Sequence, residues 1–245
     1  MSERRSYTIP PRICFHFTAL LLFSLILLQS VFFADNVKAA IVTWADSNGI
    51  GNGFYWQNGG SDKGLFGNPI LINGNTTLHL EPKNFSAESI NGKSAITSDR
   101  LQVDIIAAPG TVINSIKILE YGDYGIDTAG KVSDSGAIFV TNLSQYEVRS
   151  ATFQLDPVMP ISLSSSNGTW SGQAVVDQLG WTYLRIVLNN NLIATSLQGS
   201  QSYIDKTSFD IEIDTIDHNV PEPATLTVLT LGTAILPLCR RNKRH

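Results

Sequence analysis

Few side chains in this chain have the type and spacing to do chemistry. Of four histidines, His16 and His245 lie in the end segments, leaving only His79 and His218 in the body. Neither stands in an H-E-x-x-H register, so a metallohydrolase has no ligand pair to start from. No Gly-x-Ser-x-Gly elbow occurs, and a Ser-His-Asp triad would have to recruit one of these two lone histidines. Glycosidase chemistry needs two carboxylates about 5 to 9 Å apart. The abundant acids permit such a pair and single none out. The two cysteines, Cys14 and Cys239, both fall in the end segments, which excludes a Cys nucleophile or thiolate ligand from the body. No catalytic residue and no cofactor is assigned, and a secreted hydrolase ranks below the binding readings.

Binding chemistry has two candidates. Asp210, Glu212 and Asp214 recur at every second position and offer oxygen ligands for Ca²⁺; the same spacing describes the solvated face of a strand. The stretch from Ser47 to Gly67 sets seven glycines around Phe54-Tyr55-Trp56. Gly49-x-Gly51 looks like the opening of a phosphate-binding loop, yet Phe occupies position 54 and no Lys-Ser/Thr follows, so no nucleotide site is expected. Tyr55 and Trp56, with Trp44 nearby, could stack on a sugar ring. Equally, Phe54 and Trp56 share one face of a strand and fit a core.

The elements that must position these residues read as strands throughout. Thr76–Leu80, Arg100–Ile106, Val112–Leu119, Ala137–Thr141, Gln145–Leu155, Gly168–Asp177, Thr182–Leu188, Leu192–Leu197 and Thr207–Ile216 are short runs rich in β-branched and aromatic residues. Asn73-Gly74, Asn91-Gly92, Pro109-Gly110, Asn167-Gly168 and the run Asn189-Asn190-Asn191 read as turns between them. The triple asparagine predicts a hairpin over Trp181–Leu197. In Thr207–Thr215, Phe209, Ile211 and Ile213 alternate with Asp210, Glu212 and Asp214, as a half-buried antiparallel strand requires. No body segment sustains a 3.6-residue apolar repeat over three turns, which disfavours a parallel α/β sheet. The expected body, residues 40–219, is a single all-β domain, an antiparallel sandwich of jelly-roll type.

Charge divides the chain in the same way. Overall 17 Lys+Arg face 21 Asp+Glu, a formal charge of −4, but residues 40–220 hold nine basic against eighteen acidic side chains. An acidic body excludes a nucleic-acid-binding chain. Its ends are basic and apolar. Arg4, Arg5 and Arg12 precede the apolar run Ile13 to Ala34, followed by Val37-Lys38-Ala39-Ala40, the order of a secretory signal peptide over residues 1–39 cleaved between Ala39 and Ala40. A retained membrane anchor is the alternative, since the run is long enough to span a bilayer. At the other end, over residues 220–245, Pro221-Glu222-Pro223 is followed by an apolar segment from Ala224 to Cys239, about 24 Å of helix at 1.5 Å per residue. A cluster of Arg240, Arg241, Lys243 and Arg244 closes the chain and should remain cytoplasmic.

These last residues resemble the PEP-CTERM sorting signal of exported bacterial proteins. Pro221, Glu222 and Pro223 match its motif, the apolar segment its transmembrane helix, and Arg240 and Arg241 its basic tail. The resemblance implies recognition by an inner-membrane protease of exosortase type after signal peptidase has acted. It further implies transient anchoring in the membrane by the C-terminal helix and then delivery to the cell surface or the exopolysaccharide matrix. The fold expected is therefore a β-sandwich flanked by an N-terminal signal helix and a C-terminal transmembrane sorting helix. The function expected first is a structural or adhesive surface protein, with a secreted carbohydrate-binding module as the alternative.

Overall fold

The computed structural model describes residues 40–163 and 165–218. The signal segment with Ala39, the motif Pro221-Glu222-Pro223, the apolar segment after it, and Arg240 and Arg241 lie outside these. Among the described residues no helix is long and apolar enough to cross a membrane.

The described residues form sixteen strands and one short 3₁₀ turn at Asn73–Asn75. In chain order they are β1 (Val42–Thr43), β2 (Gly49–Ile50), β3 (Phe54–Ser61), β4 (Pro69–Ile72), β5 (Thr77–Leu80), β6 (Ser86–Ile90), β7 (Ser94–Ala107) and β8 (Thr111–Ile126). There follow β9 (Gly130–Asn142), β10 (Val148–Thr152), β11 (Gln154–Asp156), β12 (Ile161–Leu163), β13 (Ser166–Val176), β14 (Tyr183–Ser196), β15 (Gln201–Asp205) and β16 (Ser208–Asp217). Every pairing is antiparallel. The first sheet runs β1-β3-β7-β14-β9-β10, with β2 on β3 and β12 on β9; the second runs β11-β13-β8-β16-β5-β4, with β15 between β8 and β6. The expected antiparallel β-sandwich is what forms.

Alternation explains why the sheets face each other. On β7, Leu101, Val103 and Ile105 point inward; on β14, Leu184, Ile186, Leu188, Leu192 and Ala194 do; on β16, Phe209, Ile211 and Ile213 do. These join one continuous core with Phe54, Phe66, Phe85 and Trp170. Each such Val, Leu, Ile or Phe side chain gains roughly 1.5–3 kcal/mol on full burial, and a one-residue slip would turn the whole set outward, so register is set by the apolar pattern.

Two expected turns are strand interior instead. Asn189, Asn190 and Asn191 lie midway along β14, a single strand paired with β7 on one side and β9 on the other. The hairpin over Trp181–Leu197 does not form, because a central strand between two long neighbours satisfies its backbone on both edges, and Asn190 finds a buried partner. Asn167-Gly168 likewise lies within β13. Asn91-Gly92 and Pro109-Gly110 do turn: Asn91, Gly92 and Gly110 adopt positive φ between β6 and β7 and between β7 and β8.

The inter-sheet space also holds charge. Lys206 and Glu120 are fully buried and ion-paired, and the Lys206 ammonium lies 5.3 Å from the Trp170 ring centroid and 5.5 Å from that of Phe85. Asn190 Nδ2 donates to Glu120 Oε2 across the sandwich at 2.9 Å. Lys206 stands at the joint between β15 and β16, which follow one another along the same edge of β8.

Candidate functional site

The outer face of the first sheet carries an aromatic and polar array where a solvated sheet would carry scattered polar residues. Pairing sets it out in rows. Tyr55 of β3, Ile106 of β7 and Tyr183 of β14 lie abreast; Gln57, Asp104, Arg185 and Thr141 form the next row; Gln102, Val187 and Phe139 form the third. Tyr55 and Phe139 are each 38% exposed, so rings flank the middle row on both sides.

The middle row is held rigidly. Asp104 points outward yet is 0% exposed, because the β3 register shifts between Gln57 and Gly60 and Asn58, at φ 56°, folds over it. Its carboxylate accepts from Arg185 Nε at 2.6 Å, Arg185 Nη2 at 2.9 Å and Asn58 Nδ2 at 2.8 Å. The bidentate hydrogen bond to Asp104 raises the Arg185 pKa above its ordinary value, against the desolvation that opposes it. Gln57 Nε2 donates to the Tyr183 hydroxyl at 3.2 Å. Among the described residues Arg185 Nη1 has no partner, leaving a fixed donor between two rings. Such an array can hydrogen-bond hydroxyl or carboxyl oxygens while the rings cover apolar C–H surface.

The residues singled out in the sequence disperse. Of the three aromatic candidates, Tyr55 reaches this face. Trp56 is 8% exposed and packs over Gly49, with its Nε1 donating to the Asp46 carbonyl at 3.4 Å, and Trp44 is buried over Gly59. Phe54 and Trp56 thus share the inward side, as their spacing allows. Asp210, Glu212 and Asp214 lie on the outer face of β16 in the second sheet, each with its own neighbour. Asp210 meets His79 Nδ1 at 2.6 Å, Glu212 meets Lys117 Nζ at 3.1 Å, and Asp214 accepts from Asn114 Nδ2 at 2.7 Å. Among the described residues no group of three acidic, His or Cys side chains could hold a metal ion. His218 follows the last residue of β16 and stands eight residues from Asp210, the partner of His79, roughly 26 Å at 3.3 Å per residue, so the two histidines cannot serve one site. Ala40, at the expected cleavage point, is exposed at the start of the described residues.

Sequence reasoning missed Asp104, Arg185, Tyr183 and Phe139. The one local signal was Asp104 itself, an acid in the apolar stretch Leu101–Ile106. Nothing local pairs it with Arg185, 81 residues away.

No protein-family model matches the chain, and no curated protein matches it. Several solved structures are similar. TmCBM61 in complex with β-1,4-galactotriose is 8% identical, with 71% of this chain and 97% of that one covered and a TM-score of 0.20. The family 29 carbohydrate-binding module CBM29-2 is 14% identical, with 69% and 89% covered and a TM-score of 0.20. The enzymatically active domain of tailspike protein 4 of bacteriophage CBA120 is 10% identical, covering 70% of this chain and 21% of that one, with a TM-score of 0.20.

Proposed function

We propose that this chain is an exported, jelly-roll-like carbohydrate-binding sandwich that holds a polysaccharide against the outer face of its first sheet. The observation that carries the reading is the pair of exposed rings, Tyr55 and Phe139, set on either side of a guanidinium that a buried carboxylate holds in place. Sugars present apolar C–H faces and hydroxyl edges; rings cover the first and Arg185, Gln57 and Tyr183 meet the second. Because Asp104 fixes Arg185 before any ligand arrives, little side-chain entropy is lost on binding. The reading rests on this face alone and not on the likeness to the two binding modules.

Export and sorting belong to the same proposal and are supported by sequence: a signal helix cleaved at Ala39-Ala40, and a membrane-crossing sorting helix behind Pro221-Glu222-Pro223. Delivered by signal peptidase and an exosortase-type protease, a glycan-binding body would act as an adhesive component among exopolysaccharide.

The test is binding of the purified chain to a panel of immobilised glycans. Tyr55→Ala and Phe139→Ala, both at exposed positions, should each weaken the strongest interaction about tenfold, or 1.4 kcal/mol, without lowering the melting temperature by more than a degree or two. Absence of any glycan interaction, or variants that bind like the parent, would refute the assignment.

A further inference from the structure

The opposite face of the sandwich carries a second lane of different character. It runs from Tyr121 on β8 to Asp127 just past the strand's end, six residue steps or about 20 Å, with β13 on one side and β15 followed by β16 on the other. Its rows are set by pairing. Asp156, Ser171, Tyr121 and Ser208 lie abreast; Asp123 lies beside Thr169; Gly125 lies between Asn167 and Tyr203. Gly125 is required here: a Cβ would collide with the Tyr203 ring, which leans over the bare backbone. One ring face is thereby seated on the strand while the residue stays 38% exposed, and Tyr121, four residues along, is 42% exposed.

Two shallow depressions lie end to end in this lane. One, of about 410 Å³, is lined by Asp127, Asn167, Gln201 and Tyr203 among others; the second, of about 580 Å³, by Tyr121, Asp123, Asp156 and Thr169. Among the described residues every charged side chain lining either is an aspartate, with no Lys, Arg or His. Glu88, paired with Tyr203 across β6 and β15, accepts from Gln201 Nε2 at 2.6 Å and adds a further negative charge at the rim.

From the charge and the lining together, we infer that this lane is a second glycan site, selective for a polysaccharide whose sugars carry free, protonated amino groups. Asp123, Asp127 and Asp156 supply the counter-charge, Tyr121 and Tyr203 the stacking surfaces, and Asn167, Thr169, Ser171 and Gln201 the partners for hydroxyls. A basic peptide would satisfy the charge but not the rest. Peptides dock by adding to a free strand edge or by filling apolar pockets; β8, the floor of the lane, has β13 on one side and β15 followed by β16 on the other, and polar groups dominate the lining. This site stands independently of the first sheet. With both, one domain would bridge two different polymers.

The experiment is calorimetric titration of the purified chain at pH 6 with three probes: a β-1,4-linked glucosamine hexamer, its fully N-acetylated form, and hexalysine. The glucosamine hexamer should bind at least tenfold more tightly than either of the others. Its affinity should fall with added salt and at least tenfold in the double variant Asp123→Asn/Asp127→Asn. Tyr55→Ala should leave it unchanged, so failure here is distinct from failure on the first sheet. Should the double variant not fold, Tyr121→Ser must produce the loss in its place. Equal binding of the acetylated hexamer or of hexalysine, no binding of the glucosamine hexamer, or binding indifferent to these substitutions would overturn the assignment.

Discussion

Lys206, Glu120 and Asp134 place ionisable groups where water cannot reach them, with the Asn190 amide beside them. A buried ion pair repays its desolvation only when the remaining polar atoms are satisfied. Here Glu120 Oε2 receives Lys206 and Asn190, while among the described residues Glu120 Oε1 and both oxygens of Asp134 have no donor. A proton on Asp134 relieves part of this, since it can be donated to the Glu120 carboxylate. Burial pushes the Asp134 pKa up to about 8; Lys206 pulls it back and the Glu120 charge raises it further. An ordinary aspartate has a pKa near 3.9, so between about pH 4 and 8 the folded chain holds a proton that the unfolded chain releases. Stability must therefore decline as pH rises through that window and level off above it. Asp205, raised chiefly by burial, acts in the same direction. Melting temperatures measured from pH 4 to 9 should fall steadily in the parent and much less in Asp134→Asn; a parent curve that climbs with pH would contradict the shared proton. Lys206→Met, which strands Glu120, should cost about 3–5 kcal/mol in denaturant titration at neutral pH.

At the scale of elements, β14 shows how tertiary context overrides a local preference. Three consecutive asparagines favour a turn because their side chains compete for the backbone and tolerate left-handed angles. In the sandwich the same residues sit between β7 and β9, with Asn190 1% exposed and its amide bonded to Glu120. Two ladders of backbone hydrogen bonds and one buried amide outweigh the turn. Asn190→Ala removes a donor from a buried carboxylate and should destabilise the fold by about 1–3 kcal/mol. Were β14 a hairpin, position 190 would be a solvent-exposed turn and the same substitution nearly neutral. The β3 bulge works in the reverse sense: by shifting register it carries Asn58 over Asp104, and so converts an outward acid into the buried anchor of Arg185.

For the whole molecule, the two outer faces differ in charge. One presents Arg185 among rings; the other presents Asp123, Asp127 and Asp156 around two tyrosines. A domain with unlike faces suits a position between polymers outside the cell, where the end segments are expected to send it. The full chain has a mass of 26.7 kDa. Intact mass of the protein recovered from the cell surface should correspond to a chain beginning at Ala40 and ending near Pro223. A recovered protein that retains Arg240 and Arg241 would remove the sorting reading.

What the sequence determined by itself is what depends on neighbouring residues: strands from period-two alternation, the turns at Asn91-Gly92 and Pro109-Gly110, an acidic all-β body, and end segments whose order of charge and apolarity suggests a destination. Such signals survive because alternation and backbone preference act within a few residues. Tertiary structure decided which of those strands lie side by side, and with that everything at the two faces. Asp104 and Arg185 are 81 residues apart, Asn190 and Glu120 are 70, Gly125 and Tyr203 are 78. Each pair meets only after two sheets have chosen their register. That register is chosen by the summed burial of the inward side chains, a quantity to which the outward residues of a binding face contribute almost nothing.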